Sequence, residues 1–117
     1  MKNTGVTFQV RVSDYEEGVN WYQTLFNRGP DFVPHEEFVE WEVIKDTWLQ
    51  VAKGTPTVGS GPFRIGVENI EAERERLISV FGIDIETVQT REGVPAAWCT
   101  FSDPFGNRIG LYQDFNN

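Results

Sequence analysis

The feature that most limits how this chain can fold is an internal repeat. When Phe8–Val12 (FQVRV) is placed over Phe63–Val67 (FRIGV), apolar side chains coincide at every second position. The same alignment carries Phe26 onto Phe81, well beyond the alternating segment. Because the match runs through two different patterns, the sequence predicts two copies of one structural module.

The repeat also sets the boundaries of the two copies. In a chain of 117 residues, the length of one ordinary domain, we expect a first module over 1–55 and a second over 59–117. The segment 55–62 (TPTVGSGP) is rich in Pro, Gly, Ser and Thr, which is typical of a linker. The chain is therefore predicted to be a single domain built from two halves.

Each copy has the same predicted order of elements. Alternation predicts an opening strand at 6–12, and Ser13 or Asp14 caps a helix that ends at 27–30 (NRGP). Asn69 and Gly82 take the corresponding ends of the second helix. Further strands are expected at 31–35, 38–45 and 48–53, and in the second module at 83–89, 95–102 and 108–113. The predicted fold class is α+β, with two tandem βαβββ modules that form curved mixed sheets around a cleft.

Composition excludes several classes of function. The formal net charge is -8 and the pI is about 4.5, so binding to DNA or RNA phosphates is not expected. Cys99 is the single cysteine and His35 the single histidine, which excludes an internal disulfide, a cysteine-based zinc cluster and a two-histidine metal site. No apolar stretch approaches the roughly 20 residues needed to span a bilayer, and residues 1–14 lack the apolar core of a secretory signal. We therefore expect a cytoplasmic protein that does not bind membranes.

Three segments carry a resemblance to a known superfamily. Val10–Asp14 resembles its opening strand and cap, Asn20–Asn27 (NWYQTLFN) its "FYxxxLG" helix, and Asp103–Leu111 (DPFGNRIGL) its "DPDGNxxEL" hairpin. On these residues the chain resembles the vicinal oxygen chelate superfamily of glyoxalase I, bleomycin resistance proteins and extradiol dioxygenases. The resemblance covers essentially the whole chain, and the hairpin is its most specific part.

The resemblance implies where a metal would be held, and the residues there do not suit one. Metal-dependent members place His, Glu or Gln on the first and last strand of each module. Those positions fall here on Thr7, Gln50, Pro62 and Gly110. Because Pro62 has no side-chain donor atom and Gly110 has no side chain, we expect no metal and no other cofactor. The resemblance then points to metal-free members such as the bleomycin resistance proteins, which sequester cationic aromatic drugs.

Strand alternation assigns polar and aromatic side chains to the concave surface. The surface is expected to carry Gln9, Arg11, Trp48, Gln50, Arg64, Arg108 and Tyr112. Arg11 and Arg64 would there contact an anion or a carboxylate. The alternative is an ion pair with Glu40 or Glu42, or an edge that reaches solvent.

Tryptophans and acids supply the remaining candidate ligand contacts. Trp41, Trp48 and Trp98 lie in predicted strands, where they would stack on a planar ligand or, alternatively, pack in the core. Glu40 and Glu42 share one face of a predicted strand. They would form an acidic wall that attracts a cation, or else a solvent-exposed edge that resists pairing with another sheet.

These observations leave three hypotheses for function. The first is a metal-independent protein that binds and sequesters a small aromatic molecule, such as a cationic drug or natural product, at the cleft. The second is a metal-independent isomerase, lyase or hydrolase in which Glu40, Glu42 or His35 acts as acid or base. The third is a degenerate member that acts through protein contacts only. We also expect a homodimer, because a module of about 55 residues is too small to bury its own concave face and small members of the superfamily commonly pair modules across chains.

Overall fold

The structure is a computed structural model that describes residues 1–59 and 61–115. Two compact units, Met1–Thr57 and Val58–Asn117, divide the chain at a point inside the segment predicted to be a linker. Ser60 of that segment, and Asn116 and Asn117 at the end of the second predicted module, lie outside the described residues. In the described part of the chain, neither helix is long and apolar enough to cross a membrane.

The first unit has the predicted βαβββ order. Its elements are β1 (Val6–Val12), α1 (Tyr15–Phe26), β2 (Phe32–His35), β3 (Phe38–Ile44) and β4 (Thr47–Lys53). The four strands form one sheet in the order β1-β4-β3-β2, in which β1 and β4 are parallel and the other pairs antiparallel. We call it the first sheet. A mixed sheet with one helix confirms the α+β class for this half.

Helix α1 is capped at both ends by the residues that its sequence pattern predicts. The Asp14 side chain accepts a hydrogen bond of 3.0 Å from the backbone N–H of Glu17, which satisfies one of the donors left unpaired at a helix start. Asn27 ends the helix in the left-handed conformation, with φ of 55°. The caps therefore fix the helix to the twelve residues between them.

Helix α1 approaches the first sheet closely at a glycine. A Cβ atom at Gly18 would lie 2.7 Å from Cγ2 of Val12, and 2.9 Å from its Cβ and Cγ1. Val12 is fully buried at the end of β1, and Gly18 is buried on the helix. The absence of a side chain at residue 18 is what allows the helix to pack at this distance.

The second unit has one strand fewer than the sequence predicts. Its elements are β5 (Phe63–Gly66), α2 (Ile70–Phe81), β6 (Ala96–Ser102) and β7 (Arg108–Asp114). These strands form the second sheet in the order β5-β7-β6, with β5 parallel and β6 antiparallel to β7. The strand predicted at 83–89 is wrong: a single bridge between Gln89 and Trp98 is what pairs this segment with β6.

Side chains replace the missing strand along the outer edge of β6. Arg74 of α2 donates to the backbone carbonyl oxygens of Ile85 and Glu86, over 2.6 Å and 2.8 Å. The Glu86 carboxylate accepts from the backbone N–H of Thr100 at 2.8 Å. Backbone groups that a regular ladder would pair are therefore already bonded to side chains, and the segment stays irregular.

The turn between β6 and β7 is built around one buried carboxylate. Asp103 accepts hydrogen bonds of 2.9 Å from the backbone N–H groups of Phe105 and Asn107, and one of 2.7 Å from the Asn107 amide. Gly106 has a φ of 90°, which favours glycine. The DPFGN motif therefore holds β6 and β7 in register.

Candidate functional site

Polar side chains from neighbouring strands lie side by side on one face of the first sheet, opposite the face that carries most of the buried residues of this sheet. In the ladder, Gln9 of β1 lies opposite Gln50 of β4, which lies opposite Glu40 of β3. Since laterally paired residues point to the same side of a sheet, these three side chains share one face. We call it the polar face, and it is defined by Thr7, Gln9, Arg11, Glu40, Glu42, Trp48 and Gln50.

Three hydrogen bonds join four of these side chains into a chain. Arg11 Nε donates to Gln9 Oε1 at 2.9 Å, and Gln9 Nε2 donates to Gln50 Oε1 at 3.1 Å. Gln50 Nε2 then donates to Glu40 Oε1 at 2.9 Å. A guanidinium on β1 and a carboxylate on β3, which lie on either side of β4, are therefore connected through two amides.

Trp48 lies next to this chain of hydrogen bonds, between Thr7 and Glu42. The ladder places it opposite Thr7 on one side and Glu42 on the other, and it is half-buried. Glu42 Oε2 accepts from the backbone N–H of Asp46 at 3.0 Å, which holds the carboxylate at this end of the sheet. The polar face thus presents one indole beside two carboxylates, those of Glu40 and Glu42.

Trp41 does not belong to this face, so the expectation that it lines a ligand surface is corrected. It alternates with Glu40 and Glu42 along β3, and it is fully buried on the side that packs against α1. Its ring lies 5.5 Å from Phe26, and its Nε1 donates to the carbonyl oxygen of Arg28 at 3.0 Å. Trp41 is a core residue whose indole N–H is satisfied.

The second sheet carries the other predicted site residues on one face. The ladder aligns Arg64 with Gly110 and Thr100, and in the next row Gly66 with Tyr112 and Trp98. Arg108 follows at the start of β7, opposite Ser102. We call this surface the arginine–aromatic face, and it is defined by Arg64, Gly66, Trp98, Thr100, Arg108, Gly110 and Tyr112.

Two glycines allow large side chains to lie across the second sheet. A Cβ atom at Gly110 would lie 2.8 Å from Cγ of Arg64, and one at Gly66 would lie 2.8 Å from Cζ of Tyr112. Arg64 Nη2 reaches Thr100 Oγ1 at 3.5 Å, two strands away. Arg64 and the Tyr112 ring are therefore spread over the sheet and remain exposed.

Comparisons with known proteins are consistent with this architecture. No family model matches the sequence, and no curated protein matches it. Solved structures match over nearly the whole chain. A glyoxalase/bleomycin resistance protein from Catenulispora acidiphila is 22% identical with a TM-score of 0.75, over 95% of this chain and 98% of that one. This chain has the vicinal oxygen chelate fold.

Two further structures show how widely this fold is shared. A genomically encoded fosfomycin resistance protein from Listeria monocytogenes is 14% identical with a TM-score of 0.71, over 97% of this chain and 93% of that one. A lactoylglutathione lyase from Agrobacterium tumefaciens is 12% identical with a TM-score of 0.75, over 96% and 94%. At these identities the vicinal oxygen chelate fold is shared, and the function has to be argued from this chain's own side chains.

Of the four positions to which the resemblance assigns a metal, Gln50, Pro62 and Gly110 do not suit one. The oxygen of the Gln50 amide already accepts from Gln9, and the place of a side chain at Gly110 is taken by the Arg64 side chain, a cation. Pro62 offers no side-chain donor. Over residues 1–59 and 61–115, no three His, Cys, Asp or Glu side chains are grouped so that they could hold a metal ion.

Cys99 is shielded from solvent, whereas His35 is exposed and pairs with Phe38, which shares its face of β3 with Glu40. Cys99 is fully buried in β6, and burial raises the pKa of its thiol, which disfavours the nucleophilic thiolate. His35 is exposed, stacks on Phe38 with ring centroids 4.9 Å apart, and has its Nδ1 at 2.9 Å from the Glu36 carbonyl oxygen.

Sequence patterns missed two groups of residues that support these faces. Thr100 was not among the predicted site residues, yet it contacts Arg64 and lies in the middle of the arginine–aromatic face. Asp31 accepts from Arg28 at 2.6 Å and from the backbone N–H of Glu42 at 2.7 Å. These two bonds lower the pKa of Asp31, and they anchor the end of β3 that carries Glu42.

Proposed function

We propose that this protein binds a planar aromatic cation on the polar face of the first sheet, without a metal ion. The observation that carries the proposal is the placement of half-buried Trp48 directly opposite Glu42, with Glu40 in the next row. A cation near an aromatic face gains roughly 0.5–2 kcal/mol, depending on how far it is desolvated. Sequestration of such a molecule would be the biological role.

The geometry supports this ligand class in two further ways. Glu40 and Glu42 each use one carboxylate oxygen in the hydrogen bonds described above, and within 1–59 and 61–115 no residue donates to their second oxygens. Those oxygens point to a role in binding a positive group. The formal net charge of -8 would also speed the approach of a cation at low salt.

The metal positions support a binding role rather than metal-assisted chemistry. The donor atoms that a metal would need at Gln50 and Gly110 are bonded or absent, as described above. The fold occurs in a protein named for bleomycin resistance and in one named for fosfomycin resistance. For this chain we propose binding of an aromatic cation, and no particular drug.

The test uses matched probes that differ in charge. Calorimetric titration should show that N-methylquinolinium, a permanent planar cation, binds more tightly than neutral quinoline at pH 7. Glu42→Gln should weaken N-methylquinolinium binding about three- to tenfold, because it removes the charge and keeps the shape. Glu16→Gln, on the exposed side of α1, makes the same charge change as a control. Equal binding of the two probes, or equal effects of the two substitutions, would contradict the proposal.

A further inference from the structure

The arginine–aromatic face of the second sheet has the chemistry of an anion site. From its geometry we infer that it binds the carboxylate of a planar aromatic acid. Arg64 and Arg108 occupy adjacent rows of the sheet, and Trp98 and Tyr112 occupy the row on the other side of Arg64. This inference goes beyond the proposed function and does not depend on it.

Arg64 is held in place but keeps its charge available. Its side chain lies over Gly110, and its hydrogen bond is to the neutral hydroxyl of Thr100 at 3.5 Å. Between residues 1–59 and 61–115, no carboxylate lies within 4.0 Å of a nitrogen of Arg64 or Arg108. A guanidinium that is spread on a sheet and lacks a charged partner is suited to a planar carboxylate, which it binds with two parallel N–H donors.

Acidic groups near this face lie at its margins. Asp114 shares the face but lies in the row beyond Tyr112 and Trp98, opposite Ala96. The aromatic row therefore separates Asp114 from Arg64. Glu86 lies at the outer edge of β6, where its carboxylate accepts from the backbone N–H of Thr100. The positive charge of Arg64 and Arg108 is consequently concentrated at one end of the face, and the rings of Trp98 and Tyr112 lie in the next row.

The spacing of the rows matches a small aromatic acid. Successive residues on one face of a strand are about 7 Å apart, since the rise per residue is about 3.3 Å. This is the distance from the Arg64 row to the row of Trp98 and Tyr112. Tyr112 is 40% exposed, and its ring lies over Gly66 rather than standing upright. A carboxylate at Arg64 thus places an attached two-ring system over the aromatic row.

The test titrates 2-naphthoate into the whole chain by calorimetry at about 20 mM and about 150 mM salt. Arg64→Gln should weaken 2-naphthoate binding about tenfold, and Arg64→Lys should weaken it less, because a lysine keeps the charge but not the planar pair of donors. Arg91→Gln makes the same charge change at an exposed loop position of the same unit and should leave binding nearly unchanged. Acetate should bind much more weakly than 2-naphthoate.

A second measurement needs no substitution at the site. In the wild-type protein, 2-naphthoate should shift the indole N–H resonance of Trp98, and N-methylquinolinium should shift that of Trp48. Glu42→Gln should weaken binding of N-methylquinolinium and leave binding of 2-naphthoate unchanged. The result for one proposal therefore does not decide the other. Equal losses for Arg64→Gln and Arg91→Gln would overturn the inference, as would acetate binding as tight as 2-naphthoate or a Trp98 resonance that does not move.

Discussion

Substitution of Gly18 by alanine tests whether α1 is pressed onto the first sheet. In a helix interior, Gly→Ala alone stabilises by about 1 kcal/mol. At Gly18, however, the new methyl would lie within 2.7–2.9 Å of three carbon atoms of Val12. Overpacking of this kind costs about 1–3 kcal/mol. We therefore expect a net loss of about 1 kcal/mol, which lowers the melting temperature by about 4 °C in a chain of this size.

Relief of the contact at Gly18 is blocked by the surroundings of Val12. Its backbone is paired with Lys53 in the β1–β4 ladder, and its side chain is fully buried. A β-branched side chain also has few rotamers, so the methyl groups cannot turn away. The helix itself must move, and such a movement would disturb the contacts of Tyr22 and Leu25 with the core.

Urea unfolding of four variants separates the two effects. Asn20→Ala, at an exposed position of the same helix, should stabilise by a few tenths of a kcal/mol from helix propensity alone. Val12→Ala should cost about 2 kcal/mol. Val12→Ala removes two of the three close contacts and leaves the one to Cβ, so in this background Gly18→Ala should be less destabilising than in the wild-type protein, and the double-mutant cycle should show coupling of about 1 kcal/mol. A Gly18→Ala protein as stable as Asn20→Ala, with no coupling to Val12, would refute the close packing.

Four further outcomes are expected. Asp103→Ala should cost about 2–4 kcal/mol in urea unfolding, because three donors lose a buried carboxylate. The lowered pKa of Asp31 contributes stability that is present above its unfolded pKa of about 3.9 and is lost as pH falls through the folded value. Asp31→Asn should therefore reduce the loss of unfolding free energy on acidification. Parallel plots of unfolding free energy against pH for the two proteins would contradict this. Elemental analysis should find no stoichiometric zinc, nickel, iron or manganese, and a chelator should leave the melting temperature unchanged. Sedimentation at micromolar concentration should give a homodimer of the 13.4 kDa chain, and a monomer would exclude it.

The elements that the sequence predicted well are those that depend on neighbours in the chain. Asp14 and Asn69 each cap a helix through a bond to the residue three positions on, so a local pattern is sufficient. The strand predicted at 83–89 fails for the opposite reason. Its backbone is bonded by Arg74 and by its own Glu86 side chain in contacts that only the folded unit creates. The periodicity of apolar residues does not show whether side chains will take the backbone hydrogen bonds that a strand would need.

In the candidate sites, too, the sequence predicts what depends on neighbours in the chain and misses what depends on contacts between distant strands. Gln9, Gln50 and Glu40 share one face of the first sheet, but alternation within each strand does not specify which residues lie opposite one another. The bond between Gln9 and Gln50 depends on the parallel register of β1 and β4, two strands separated by a helix and two other strands. Trp41 could have been assigned to the core from alternation alone, since it lies between Glu40 and Glu42 on β3.

The hydrogen-bonded chain on the polar face has a fixed direction, because its two ends are chemically different. Arg11 has donors and no acceptor, and an ionised Glu40 has acceptors and no donor. If the amide of Gln50 turned over, its nitrogen would face the nitrogen of Gln9, and turning Gln9 as well would place two donors together at Arg11. Each amide, although nearly symmetric in shape, therefore has one allowed orientation. The ligand that we propose for this face would therefore meet a single pattern of donors and acceptors, and an isomer with the two kinds of group exchanged should bind more weakly.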